Sequence, residues 1–236
     1  MKNTSALDRG RVGHGLISRA HIERMLRLEH AEMRKAEVGD WPAILGIINE
    51  TVDDSRRSLT AHTITEASAS GTIERFRHHR WPLLVLEVEE EIVAYASARS
   101  LRWGDASTRQ MAEVAIYLKQ EWYGTGAALL AGLHLYTEAR TQGFELATAW
   151  IAEGNVASIA AANAFGLKRW GVLPKAICHR GSRSDLHIYG ASLFDSSWLE
   201  HLAIMKTKSN ERITRIKARM AKYSGGTGAT SGGVVV

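Results

Sequence analysis

Apolar positions fall into short runs broken by charged turns. Ile44, Leu45, Ile47, Ile48 and Val52 recur at helical spacing behind Asp40 and Pro42. Asp40 reads as the N-cap, and Pro42 sits early in the helix, where its missing N–H does no harm. Residues 64–79 read as a second helix. Residues 83–88 and 92–96 are apolar runs of strand length, and the acidic link Glu89-Glu90-Glu91 predicts a hairpin whose turn lacks the usual Gly or Asn. Residues 114–118 make a further strand, 124–142 a helix stopped by Gly143, 146–151 a strand, and 155–164 a helix ending near Gly166. Short strands at 33–36, 169–173 and 186–189 and a helix at 18–28 complete the pattern. The core order is therefore βααβββ–αβ–αββ. Hairpins combined with one strand–helix–strand crossover predict a mixed sheet covered by helices, in the α/β (α+β) class.

Composition locates the charge. The net charge of +5 belongs to the ends: residues 206–223 carry seven Lys or Arg against one Glu, and residues 1–31 carry six basic against three acidic residues. The body between them is net acidic, so nucleic acid is not the expected ligand of the core. The basic C-terminal segment is left with an unknown partner. Ile213, Ile216 and Met220 share one side of it, so a partner helix or membrane surface is one option, and a solvated basic helix is the plainer one. The single cysteine, Cys178, cannot form an internal disulfide, which favours a reducing compartment and a cytoplasmic location. No apolar run reaches the roughly 18 residues needed to span a bilayer. The chain divides into a polar extension at 1–31, a folded domain at 32–193, a basic helical segment at 194–223 and a flexible Gly/Ser/Thr-rich tail at 224–236.

The chemistry gathers where the 114–118 strand meets its helix, in Tyr123-Gly124-Thr125-Gly126-Ala127-Ala128. Glycine at a helix mouth lets main chain approach a ligand with no Cβ between. The first helical N–H groups have no internal acceptor, and the helix dipole adds partial positive charge. A phosphate suits such a place, with the amides of Gly124, Thr125, Gly126, Ala127 and Ala128 as the cradle. The alternative is a tight strand-to-helix turn with no ligand. The stretch is neither a Walker loop nor the three-glycine dinucleotide fingerprint.

These residues resemble the GCN5-related N-acetyltransferases, whose signature after the fourth strand is Gln/Arg-Gly-x-Gly-x-Gly/Ala. Asn155-Val156-Ala157-Ser158 followed by Phe165-Gly166-Leu167 resembles a second element of that family. Glu113-Val114-Ala115-Ile116-Tyr117, Gly171-Val172-Leu173 and Asp185 are similar to features of its phosphinothricin-type members. Tyr123 stands where Gln or Arg is usual, which removes one side-chain contact to a pyrophosphate. The resemblance implies a mostly antiparallel twisted sheet with helices on both faces and a V-shaped splay between the fourth and fifth strands. It implies transfer of an acetyl group from acetyl-CoA, as co-substrate and without a metal, to a primary amine of a small molecule. That amine could be an amino acid or an analogue such as phosphinothricin or methionine sulfoximine.

On this resemblance, the backbone of Ile116, Tyr117 and Leu118 would lie beside the pantetheine arm, with Asn155 and Ser158 across from it. Asn155 also reads as a plain N-cap. Glu113 is the candidate general base, with desolvation expected to raise its pKa; a surface carboxylate is the alternative. A backbone amide near 116–118 would donate to the developing oxyanion. Many relatives place Tyr seven residues after the Asn as an acid; here that residue is Ala162, leaving Tyr117, Tyr189 or water. Arg102 and Trp103 are candidates to cover the acceptor site. His78-His79 reads as a solvated helix end rather than a metal site, and Cys178 as an inert thiol beside Lys175 and Arg180. A homodimer is left open. Two other functions compete: a protein or peptide N-acetyltransferase, and a non-catalytic acyl-CoA-binding docking or regulatory module.

Overall fold

The computed structural model describes residues 18–52, 59–60, 62–101, 106–179 and 181–224, with side chains through 218. Arg102, Trp103, Arg180, the side chain of Met220, the first seventeen residues and the tail past 224 lie outside the described residues. The order is α1 (Arg19–Arg27), β1 (Ala31–Lys35), α2 (Trp41–Asn49), α3 (Glu66–His79), β2 (Leu83–Val88), β3 (Glu91–Ser100), β4 (Met111–Leu118), α4 (Ala127–Thr141), β5 (Leu146–Ala152), α5 (Val156–Ala164), β6 (Lys168–His179), β7 (Ser182–Ser192) and α6 (Ser196–Ser224).

One seven-stranded sheet runs β1-β2-β3-β4-β5-β7-β6. All neighbours are antiparallel except β4 and β5. Strand alternation sends Val85 and Tyr95 to one face, where Trp41, Ile44, Leu45 and Ile47 of α2 and Ala69 of α3 bury them. Ala96, Ala98, Ala112 and Val114 face the other way, under Ala131, Leu135 and Ala139 of α4. Small alanines on both surfaces bring α4 close to the sheet, and Gly132 lets Phe165 come closer still.

Several elements depart from the periodicity. The expected hairpin forms, and its two turn residues, Glu89 and Glu90, take left-handed φ of 51° and 67°. Each costs roughly 1 kcal/mol for a residue with a Cβ. Asp40 does not cap α2: its carboxylate accepts from the Glu37 amide at 2.7 Å and from both terminal nitrogens of Arg34 at 2.7 and 3.0 Å. An arginine fork outcompetes the helix amides for those oxygens. Arg34 also reaches Glu87, and the guanidinium holds the Asp40 carboxyl below its ordinary pKa. Strand β6 runs well past Leu173, because Pro174 falls where the register shifts on an edge strand, a place that needs no donor. Helix α4 begins after the glycines, at Ala127.

The N-terminal helix is not a free appendage. Ser18 Oγ accepts from the His21 amide to start it, and Ile22 and Met25 bury against Ile216 of α6. Among the described residues no helix is long and apolar enough to cross a membrane.

Candidate active site

Strands β4 and β5 pair over only three positions, Met111 with Leu146, Ala112 with Ala147 and Glu113 with Thr148. Beyond Glu113 the two strands part, while β4 stays paired to β3 as far as Leu118 with no register shift. The main-chain direction follows from the bonds on either side. Lys119 N–H donates to Val93 O on β3, and Ala112 O accepts from Thr148 Oγ1 on β5. Alternation then turns the amides and carbonyls of Val114, Ile116 and Leu118 into the gap and those of Ala115 and Tyr117 toward β3. Of the three residues expected to present backbone there, Ile116 and Leu118 do so, and Tyr117 instead contributes a side chain.

Tyr117 and Glu113 share a face of β4, the α2 face, together with Tyr95 and Arg99 across on β3. The rings of Tyr117 and Tyr95 stack at 5.3 Å. Burial keeps the Tyr95 hydroxyl well above its ordinary pKa, reinforced by Tyr117. Glu113 is not in the dry pocket expected for it. It accepts from Arg99 Nη2 at 2.8 Å and Nε at 3.3 Å, and its side chain keeps 28% of its accessibility. The guanidinium fork fixes the orientation of the carboxylate at the start of the gap. Tyr189 is buried in the core on the opposite face, away from Glu113, and Ala162 is buried there too. On β5 the buried Trp150 indole N–H has no hydrogen-bond partner among the described residues, and neither does Nδ1 of His187 on β7.

At the far end of β4, a 3-10 turn over Gln120–Trp122 leads to the glycine loop. Gly124 and Gly126 take φ of 75° and 106°, conformations that L side chains rarely adopt. Among the described residues no side chain caps α4 at Gly126. The first amide with a helical acceptor is Leu130, onto Gly126 O at 3.1 Å. The Thr125 amide leans on Trp122 O at 3.4 Å and the Ala127 amide on Thr125 Oγ1 at 3.3 Å. The five-amide cradle read from the sequence thus becomes Gly124, Gly126 and Ala128, joined by Leu129, which the sequence reading omitted. These amides have no acceptor among the described residues. Tyr123 is half-buried against the cluster around Trp122. Asn155 caps α5 by accepting from the Ser158 amide at 3.0 Å, so its N-cap role is present.

The family profile for the GNAT acetyltransferases matches residues 46–167. The chain belongs to the GNAT acetyltransferase family. Its relatives include an L-methionine sulfoximine/L-methionine sulfone acetyltransferase of Pseudomonas paraeruginosa, 27% identical over 146 residues, covering 61% of this chain and 84% of the relative. A ribosomal-protein-alanine N-acetyltransferase from Brucella melitensis has a similar structure, at TM-score 0.64 and 27% identity, covering 68% of this chain and 99% of that one. A phosphinothricin acetyltransferase from Sinorhizobium meliloti, in complex with acetyl-CoA, reaches TM-score 0.64 at 23% identity over 69% of this chain and 88% of that one, a likeness of fold. The GNAT assignment accounts for the parted strands and the uncapped glycine loop at once. The 46–167 match also encloses β4, the glycine loop, α4 and α5 with its cap Asn155, and so contains Glu113 and every cofactor-binding residue expected from the sequence. Among the described residues no group of three or more His, Cys, Asp or Glu side chains could hold a metal.

Proposed function

We propose that this GNAT enzyme transfers the acetyl group of acetyl-CoA to the primary amine of a small molecule, an amino acid or a close analogue such as methionine sulfoximine. The observation that carries the reading is the parting of β4 and β5 immediately past Glu113, beside a helix mouth whose amides have no acceptor. The residues fit the cofactor. Four uncommitted amides at a positive helix end match a pyrophosphate.

Bound acetyl-CoA supplies an activated acyl group on a thiol that leaves readily. The main chain of Ile116 and Leu118 would pair with the amide-rich arm, and Asn155 would meet that arm from α5 while its Oδ1 keeps the cap. Glu113, oriented by Arg99, takes the proton of the attacking amine, directly or through one water. The new C–N bond replaces the C–S bond, and the thiolate takes a proton from solvent or from Tyr117. A Gly124-to-Leu129 cradle sets the acyl group at the reactive end of the gap, so positioning carries much of the rate. The Trp150 N–H, without a partner among the described residues and on the same sheet face as Thr148 and Glu113, supports an acceptor that brings its own oxygen, as an amino acid or sulfoximine does.

The test is release of free thiol from acetyl-CoA by the full chain with a panel of amines: methionine sulfoximine, methionine sulfone, phosphinothricin, free amino acids and an N-terminal peptide. Turnover of a small amine at least tenfold faster than the peptide supports the proposal. The similarity to the Brucella enzyme favours a second reading, acetylation of a protein N-terminus, and preference for the peptide would select it.

A further inference from the structure

Helix α1 precedes the part of the chain that matches the family and packs directly on the glycine loop. The edge of the His21 ring faces Gly124: Cε1 stands 3.4 Å and Nε2 3.8 Å from where a Cβ on that glycine would be. Leu28, just past α1, approaches Gly126 in the same way, with Cδ1 at 3.8 Å from a Cβ position there.

The helix is fixed in this pose from three sides. Arg24 pairs with Glu121 at 2.6 Å, and Arg27 pairs with Glu89 at 2.9 Å while its guanidinium lies over the Trp122 ring. Behind it, Ile22 and Met25 bury against Ile216 of α6, and Glu29 pairs with Lys217. Both arginines are therefore committed to carboxylates. His21 is not: its ring has no hydrogen-bond partner among the described residues, and it is half-buried at the rim of the loop. The loop itself lacks a cation, because Tyr123 occupies its first position.

We propose that His21 is a cofactor-binding residue, donating from α1 to the phosphate whose other oxygens take the loop amides. The N-terminal helix thereby supplies the side-chain donor that Tyr123 does not. This rests on the acetyl-CoA reading above. The first half of α6 packs on the core through Trp198 and Leu202, and its far half, through Ile216 and Lys217, holds α1 in place and so serves cofactor binding indirectly.

The test is calorimetric titration of the full-length protein with coenzyme A, beside KM values for acetyl-CoA and for S-acetylpantetheine, which has no phosphoanhydride. His21→Ala should weaken coenzyme A about tenfold, the size of one hydrogen bond to a charged group, and raise the KM for acetyl-CoA while leaving that for S-acetylpantetheine unchanged. His21→Gln, which keeps a donor, should recover part of the loss. Ile216→Asp should reproduce the selective loss by releasing α1. Unchanged affinity in His21→Ala, or equal loss with both thioesters, would overturn the assignment. A wild-type protein that binds no coenzyme A would instead remove the acetyl-CoA reading, and this inference with it.

Discussion

Replacing Glu113 with glutamine separates chemistry from structure, because the two effects differ in size. The carboxylate and its partner Arg99 keep 28% and 30% of their side-chain accessibility. Solvent therefore screens the ion pair, and its loss should cost about 1 kcal/mol. Glutamine also preserves shape and leaves one oxygen to accept from the guanidinium. For a chain of this length that loss lowers Tm by roughly 2–4 °C. Coenzyme A affinity should not change, since the main chain of Ile116 and Leu118 and the glycine loop are untouched. The proton acceptor disappears altogether, and a positioned base contributes on the order of 100-fold to 10,000-fold in rate. Glu113→Gln should thus reduce kcat at least about 100-fold, equivalent to about 2.7 kcal/mol of barrier. Steady-state thiol release, calorimetry with coenzyme A and thermal melting are measured on one preparation. A rate within about threefold of wild type would refute the role of Glu113. A rate loss matched by an equal loss of cofactor affinity would mean the carboxylate only supports the fold.

Asp40→Asn should destabilise the protein by about 1–2 kcal/mol, because it removes one of the two carboxylates on Arg34 while Glu87 remains paired. The native pairing holds the Asp40 carboxyl below its ordinary pKa of 3.8. Its stabilisation is thus present above that pH and lost as pH falls through the depressed native value, so the Tm gap between wild type and variant should be constant from about pH 5 to 8 and close below about pH 4. Gly132→Ala places a Cβ 2.2 Å from Phe165 Cζ; the ring is pinned by Tyr136 at 5.3 Å. Denaturant melts should show a net loss of about 1–3 kcal/mol despite alanine's better helix propensity. Asn155→Ala should cost about 1 kcal/mol through the lost cap and raise the KM for acetyl-CoA more than it lowers kcat.

Elements whose periodicity is self-contained were legible. The Val114–Leu118 run, the glycines after it and the alanine-rich helix all mark themselves locally, and so does Asn155 as a cap. What escaped depends on pairing across distance. Nothing near Glu113 announces Arg99, since their meeting is set by the β3–β4 register, and a period of two cannot supply an offset. Asp40 carries the signature of an N-cap, yet a strand arginine takes its oxygens. The strand read at 169–173 runs on to His179, because the missing donor of Pro174 matters inside a sheet and not at its edge. The spacing of Ile22 and Met25 marks a helix face, but only tertiary structure says that Ile216 covers it or that His21 then meets Gly124.

The central claim is that unpaired amides at one helix mouth hold the cofactor's phosphates, and amide-resolved NMR of the labelled protein titrated with coenzyme A tests it most directly. The account predicts the largest downfield proton shifts at Gly124, Gly126, Ala128 and Leu129, with smaller ones at Thr125 and Ala127, whose amides already have acceptors. Saturation with coenzyme A that leaves those four amides unmoved would contradict it.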